Sequence, residues 1–123
     1  MHLPMIGRGK TKTVYALDAY TVLKVGPADR IAKQARRLRR LHRLGVPVAR
    51  VLCERYGWLV QEQCEGSLAE VSADEQALVI AAFRAVLPGM RIGDLRPRNV
   101  MWHIARDEWV IVDCGAIRPA KEG

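Results

Sequence analysis

Three side chains with oxygen atoms that suit a metal ion lie in the last third of the sequence. Asp94 and Asn99 stand five residues apart in GDLRPRNVMW (93–102), and Asp113 follows an apolar run in IVDCG (111–115). Carboxylate and amide oxygens are good ligands for Mg²⁺, and a carboxylate can also orient or deprotonate an attacking hydroxyl group. Taken singly, each residue is more typical of a turn or a strand end. Together they predict metal-assisted phosphoryl transfer.

A glycine-containing segment near the N-terminus is suited to binding phosphate. IGRGKTKTVYAL (6–17) enters a strand, and Lys24 lies in the next strand-like run. Glycine lets main-chain N–H groups approach phosphate oxygens, and the lysine adds positive charge. GKT at 9–11 does not complete a P-loop, because Pro4 stands where its first glycine is required, and a dinucleotide-binding fingerprint lacks its third glycine. The segment therefore predicts a phosphate-binding loop of another kind.

The elements that position these residues follow from the spacing of apolar side chains. TVYAL (13–17) and TVLKV (21–25) predict a β-hairpin, and VARVLC (48–53) and WLVQEQ (58–63) predict two more strands. A helix is predicted from Asp29 to Leu44, with Gln34 facing inward beside an apolar stripe. That stripe consists of Ile31, Ala35, Leu38, Leu41 and Leu44.

The second half predicts one helix and a second pair of strands. Ser72 and Glu75 fit a capping box, and the apolar run after them predicts a largely buried helix that ends at Pro88. NVMWH (99–103) and EWVIVD (108–113) then predict two short strands joined by a polar turn.

Composition limits the classes of protein that fit. The chain has 123 residues, of which 50% are hydrophobic and 27% are charged, and this predicts one globular domain. No apolar run approaches the roughly 20 residues of a membrane span, and the N-terminus lacks a secretory signal, so a cytoplasmic protein is expected. Three cysteines without a CxxC pair and three scattered histidines indicate no zinc site.

The order of these motifs resembles the protein kinase-like superfamily, in particular the branch that contains aminoglycoside phosphotransferases and small bacterial Ser/Thr kinases. Gly7, Gly9 and Val14 are similar to the glycine-rich loop GxGxxGxV, with Lys12 in place of its third glycine. Lys24 resembles the lysine that binds ATP phosphates. GDLRPRNVMW resembles the catalytic loop, and IVDCG resembles the DFG motif.

The resemblance implies a role for each candidate residue. Asp94 would be the catalytic aspartate, with Asn99 and Asp113 as Mg²⁺ ligands. Arg96 takes the place of a lysine that neutralises the transferred phosphate. Gln34 stands where the family has a glutamate that pairs with the strand lysine, so it can hydrogen-bond Lys24 but supplies no charge. The remaining implied ATP-binding residues are Gly7, Gly9, Lys12, Val14 and Lys24 at the phosphates and the hinge residues Gln61, Glu62 and Gln63 at adenine.

The fold implied by the resemblance is a single α+β kinase-like domain. Residues 1–62 would form an antiparallel-sheet N-lobe with one helix, and residues 63–123 a truncated, mostly helical C-lobe. The chain ends ten residues after Asp113, so the activation segment and the family's platform for the phosphate acceptor are expected to be absent. Such a truncation would leave apolar surface on the 72–88 helix, which suggests a homodimer or a protein partner.

Three functions remain open from the sequence. The first is a minimal kinase that uses ATP and Mg²⁺ and acts on a protein Ser/Thr hydroxyl or on itself. The second is a pseudokinase or inhibitory module that binds a partner protein. The third is a nucleic-acid-binding protein, because the net charge is +7 and seven basic residues crowd the first helix, although a solvated helix face explains them equally well. These are Arg30, Lys33, Arg36, Arg37, Arg39, Arg40 and Arg43.

Overall fold

The structure, a computed structural model, describes residues 3–8, 12–86 and 95–113, and the main chain alone of 90–91 and 118–119. Within these residues the elements are β1 Met5–Arg8, β2 Thr13–Ala16, β3 Thr21–Val25, α1 Ala28–Arg43, β4 Val51–Arg55, β5 Trp58–Glu62, β6 Glu65–Ser67, α2 Ala73–Ala85, β7 Met90–Arg91, β8 Val100–His103, β9 Glu108–Ile111 and β10 Arg118–Pro119. Short 3-10 helices span Leu68–Glu70 and Pro97–Asn99.

The first half of the chain forms a five-stranded antiparallel sheet in the order β1-β2-β3-β5-β4. The two predicted strand pairs, β2 with β3 and β4 with β5, are confirmed. β1 was not predicted, because its four residues include a glycine and show no alternation of polar and apolar side chains. At the β2–β3 turn, the Asp18 carboxylate accepts hydrogen bonds from the Tyr20 and Thr21 N–H groups at 2.7 and 2.8 Å, and these bonds lower the pKa of Asp18.

Helix α1 lies between β3 and β4 in the chain and packs on the sheet. Ile31, Ala35, Leu38 and Leu41 are buried, as the apolar stripe predicted, and Gln34 faces inward as expected. Leu44 was predicted to extend the stripe, but it is exposed. The helix ends at Arg43, so Leu44 is its C-cap and no longer follows the helical rotation that turns the stripe toward the sheet.

The second half contains more strands than helices, so the prediction of a mostly helical C-lobe is wrong for the described residues. Strands β6, β8 and β9 form a three-stranded antiparallel sheet, and β7 pairs with β10. The predicted β8–β9 hairpin is confirmed, with Val100 opposite Ile111. Among the described residues after Glu62, α2 is the only α-helix.

Helix α2 begins where the capping box predicted, but it is not largely buried. The Ser72 hydroxyl oxygen accepts a hydrogen bond from the Glu75 N–H at 3.2 Å. Within the helix only Phe83 is buried, and Leu78 is 72% exposed. The apolar residues of α2 are distributed around its whole circumference, and only those on the side with Val79 and Phe83 pack against the core. The predicted contact of this helix with a second copy or a partner stays a prediction.

The largest hydrophobic cluster joins the two halves of the chain. Its members are Leu38, Leu41, Val46, Val48, Leu68, Phe83, Leu95, Val100 and Ile111. The main chain joins the same halves, because the Ala49 N–H donates to the Ile111 carbonyl at 2.9 Å and the Ile111 N–H donates to the Pro47 carbonyl at 3.1 Å. In the described part of the chain, no helix is long and apolar enough to cross a membrane.

Candidate functional site

Three side chains from three different elements meet at the main-chain carbonyl of Val112. The Lys24 ammonium group from β3 donates to it at 2.6 Å, and the side-chain amides of Gln34 from α1 and Gln61 from β5 lie 3.4 Å from it. Alternation along β3 turns Val22 and Lys24 to the buried face of the sheet. The segment just after β9 is thereby held under the five-stranded sheet, with Asp113 beside it.

Lys12 brings a second ammonium group to the same place. Its Nζ lies 2.7 Å from Gln34 Oε1 and 3.1 Å from Asp113 Oδ2. The resemblance implied that Gln34 can hydrogen-bond Lys24. The structure shows Gln34 accepting from Lys12, while its amide nitrogen shares the Val112 carbonyl with Lys24. Two lysines, an amide and a carboxylate therefore gather between β2, β3, α1 and the end of β9.

Asn99 lies next to this group, at the start of β8. Its carbonyl accepts a hydrogen bond from the Val112 N–H at 2.9 Å, and its own N–H donates to the Arg96 carbonyl, also at 2.9 Å. Because Val100 pairs with Ile111, Asn99 and Asp113 flank the same end of the hairpin. Arg96 is exposed and precedes the short 3-10 helix that leads to Asn99. Gly7 and Val14 of the predicted glycine-rich loop are paired in β1 and β2. Asp94 and Gly9 also belong to the predicted site, but they lie outside the described residues.

Asp113 and Asn99 carry carboxylate and amide oxygen atoms of the kind that bind Mg²⁺. Mg²⁺ is usually held by one or two protein side chains together with phosphate oxygens and water. Among the described residues no group of three or more His, Cys, Asp or Glu side chains could hold a metal ion. The role of Asn99 and Asp113 as Mg²⁺ ligands stays a prediction.

The three predicted hinge residues differ in what they contact. The Gln61 side chain points inward to Val112, and the Gln63 N–H donates to the Tyr20 carbonyl at 2.8 Å. The Oε1 atoms of Gln61 and Gln63 are both buried and accept no hydrogen bond from the described residues. Both atoms are closed off from solvent, so neither can accept a hydrogen bond from a ligand in this arrangement. The role of the hinge residues at adenine stays a prediction.

Glu62, the third of them, belongs to a charged cluster that sequence reasoning did not find. Its Oε1 lies 2.6 Å from Arg106 Nη2, and its Oε2 lies 3.1 Å from His103 Nε2. His103 Nδ1 accepts the Arg106 N–H at 3.1 Å, which places the ring proton on Nε2, facing the carboxylate. Arg106 Nη2 also donates to the Val48 carbonyl at 2.7 Å. The cluster fastens the end of β5 to the β8–β9 hairpin.

A cavity of about 360 Å³ lies beside this cluster, between the β2–β3 turn and the β8–β9 turn. Tyr20, Gln63, Glu65 and Ile104 are among the residues that line it. Cys64 is buried close by, and burial together with the negative charge of Glu62 raises the pKa of its thiol to about 12. The thiol is therefore protonated at neutral pH and is not a nucleophile.

Comparison with known proteins supports the fold. No protein-family model matches the sequence, and no curated protein does. Among solved structures, the chain is similar to the aminoglycoside phosphotransferase APH(2″)-IIa in its ternary complex with streptomycin and ATP. The TM-score is 0.63 at 11% sequence identity, and the match covers 98% of this chain and 69% of the other. At that identity the likeness concerns the fold alone, and this mixed α+β chain therefore shares the protein kinase-like fold of that enzyme.

Proposed function

We propose that this chain is an ATP-dependent phosphotransferase whose nucleotide lies beneath the β1–β2 segment. The observation that carries the proposal is the meeting of the Lys12 and Lys24 ammonium groups with the Asp113 carboxylate, under a sheet with the strand order described above. Two cations beside a metal-binding carboxylate suit a triphosphate, which needs neutralisation more than covalent help from the protein. The similar fold was solved with ATP bound, which supports the same ligand class.

The proposal gives each described residue a part in phosphoryl transfer. Lys12 and Lys24 bind phosphate oxygens, and Gly7 and Val14 form a pair in the β1–β2 ladder beside Lys12. Asn99 and Asp113 would hold Mg²⁺, which when bound neutralises charge on the phosphates. Arg96 lies on the approach to Asn99, where its guanidinium group can balance the transferred phosphate.

The acceptor in this proposal is a protein Ser or Thr hydroxyl group, including one on the chain itself. Asp94 would orient that hydroxyl and take its proton while the bond from the γ-phosphorus to the bridging oxygen breaks and ADP leaves. This part rests on the resemblance of the catalytic loop. A protein that binds nucleotide without transferring phosphate, as a pseudokinase does, is the alternative that the experiment below separates.

The test measures transfer of labelled γ-phosphate from Mg-ATP and, on the same samples, the thermal shift caused by the nucleotide. We expect wild type and Asp74→Ala, a control on exposed α2, to transfer phosphate at equal rates, and Asp113→Ala to lose transfer. A nucleotide shift without transfer in wild type would assign the chain to the pseudokinase class. Equal transfer by wild type and Asp113→Ala would refute the proposed site.

A second candidate function, binding to a nucleic-acid backbone, is favoured by the outer face of α1. All seven exposed positions of this helix are polar, and five of them are Arg or Lys. These five are Arg30, Lys33, Arg36, Arg40 and Arg43, and no carboxylate of the described residues pairs with them. The stripe runs for roughly 20 Å along the helix. Protein interfaces usually centre on apolar or aromatic anchors, which this face lacks, so a phosphate backbone fits it better.

Salt dependence tests this second function. Neutralising about four phosphates predicts that affinity for a short DNA duplex falls on the order of 100-fold between 50 and 200 mM salt. Arg36→Glu with Arg40→Glu should weaken binding strongly, whereas Arg84→Glu on α2 should change it little. If the affinity does not change with salt concentration, or if the double variant still binds DNA as wild type does, this second function is wrong. Equal and equally salt-dependent binding of an acidic peptide would assign the face to an acidic protein.

A further inference from the structure

The ammonium group of Lys12 contacts Oδ2 of Asp113, one of the two residues proposed to hold the metal ion. The Lys12 Nζ to Asp113 Oδ2 distance is 3.1 Å, and the two side chains are only 21% and 33% exposed. Lys12 stands where the glycine-rich pattern has its third glycine, a position that otherwise carries no side chain. The site therefore contains a cation of its own before any ligand arrives.

An ammonium group and a divalent cation cannot both be held closely by one carboxylate oxygen without strong repulsion. Like charges a few ångströms apart in a half-buried site repel much more than they do in water. A metal ion that approaches Asp113 in the empty site must therefore displace Lys12. This competition lowers the affinity of the empty protein for the metal.

Because Gln34 is neutral, Lys12 can move away from Asp113 at a low cost in free energy. Gln34 accepts the second hydrogen bond of the ammonium group at 2.7 Å, but as a neutral amide it adds no charge. A lysine ammonium has three donors, and the contacts with Gln34 and Asp113 use two of them. A triphosphate offers more negative charge than one carboxylate, so Lys12 gains by turning toward it. That movement would end the contact between Lys12 and Asp113 Oδ2.

We propose that Lys12 is a resident counter-cation that keeps metal away from Asp113 in the empty site and passes to the phosphates when nucleotide binds. The metal ion then follows the nucleotide instead of preceding it. This inference rests on the proposed phosphotransferase function for its second half, the transfer to phosphate. Its first half, exclusion of metal, depends only on the Lys12–Asp113 contact.

Two binding measurements test the two halves separately. Binding of Mn²⁺ without nucleotide is followed by electron paramagnetic resonance, and binding of metal-free ATP in EDTA is followed by calorimetry. For Lys12→Met we expect Mn²⁺ to bind about fivefold more tightly, because the partly exposed ion pair no longer competes. We expect metal-free ATP to bind about tenfold or more weakly, because a charged hydrogen bond to phosphate is lost.

The opposite signs of these changes distinguish the proposal from a structural role, which would weaken both kinds of binding. Lys12→Arg should keep both wild-type affinities within about threefold, since it retains the charge. Arg84→Met, on exposed α2, should change neither affinity. In an Asp113→Asn background the effect of Lys12→Met on Mn²⁺ should disappear.

The results that overturn the inference differ from those that overturn the proposed function. If wild type binds ATP but Lys12→Met leaves Mn²⁺ affinity unchanged or lower, this inference is wrong and the proposed function stands. If wild type binds no ATP with or without metal, the proposed function is wrong, and the passage of Lys12 to phosphate is wrong with it. A gain in Mn²⁺ affinity would still support the exclusion of metal in that case.

Discussion

Replacing Glu62 with Gln tests how firmly β5 is fastened to the β8–β9 hairpin. The change keeps the size of the side chain and one carbonyl oxygen, but it removes the negative charge. The Glu62 carboxylate lies 2.6 Å from Arg106 Nη2, 3.1 Å from His103 Nε2 and 2.8 Å from the Arg50 N–H. All three contacts weaken at once, and Arg106 is left without its closest counter-charge.

The expected loss follows from the burial of this pair. A hydrogen bond to a charged group contributes about 1.5–3 kcal/mol, and breaking a fully buried ion pair costs about 3–5 kcal/mol. The Arg106 and Glu62 side chains are 22% and 18% exposed, so water screens them in part. Arg106 also keeps its bond to Glu108 at 3.1 Å. We therefore expect Glu62→Gln to lower the free energy of unfolding by about 2–3 kcal/mol.

Urea unfolding followed by tryptophan fluorescence measures this loss. Trp102 and Trp109 report on the hairpin directly, because their rings pack edge to face with centroids 5.2 Å apart. Glu54→Gln is the matched control. Its pair with Arg39 is as short, at 2.5 Å, but the Arg39 and Glu54 side chains are 41% and 29% exposed, so we expect a loss below about 1 kcal/mol. Equal losses in the two variants would refute the argument from burial.

Three further predictions concern local features of the fold. Ser72→Ala removes the N-cap of α2 and should lower the free energy of unfolding by about 1 kcal/mol, whereas Ser72→Asp should leave that free energy unchanged. Equal urea midpoints for wild type and Ser72→Ala would contradict this prediction. Gly57→Ala should cost about 1–2 kcal/mol, because Gly57 has φ +86° in the β4–β5 turn, and an undiminished melting temperature would contradict that strain. The pKa of Cys64 is raised to about 12, so the folded state holds the thiol proton more tightly than the unfolded state does. The protonated thiol therefore makes its full contribution to the free energy of unfolding below about pH 8.5, and that contribution is lost as pH rises toward 12. Between pH 8 and 10, wild type and Cys53→Ala should lose about 1.5–2 kcal/mol more than Cys64→Ala, and parallel losses in all three would count against the burial of this thiol.

The parts of the fold that could be predicted from sequence are those set by neighbours in the chain. Helix α1 has its apolar residues on one side and its charges on the other, so its buried positions, including Gln34, follow from helical spacing alone. The β2–β3 and β8–β9 hairpins follow from short strand-like runs with polar turns. Helix α2 lacks such a contrast, and the side of it that is buried is decided by distant core residues such as Leu68 and Val100.

The contacts that join the candidate site residues could not be predicted from the sequence. Lys24, Asn99 and Asp113 were chosen for their chemistry and their order, and the structure brings them to the same end of the β8–β9 hairpin. The pairing of Lys12 with Asp113 joins residues 101 positions apart, and no local pattern encodes so distant a contact. Arg106 was missed for a similar reason. It lies in a polar turn, and only the folded chain shows that its side chain reaches back to Glu62 and Val48.

One hydrophobic core contains side chains from residues 38–48 and from residues 68–111, so the two halves of the chain should unfold together. A cut after Glu62 would leave Leu38, Leu41 and Val48 facing water, and it would remove the strand that binds the Pro47 and Ala49 main chain. The sheet that carries Lys24 is therefore not an autonomous folding unit. The amide hydrogens of Ala49 and Ile111 should exchange with solvent only through the same global opening, and a fragment of residues 1–62 should be unfolded in isolation.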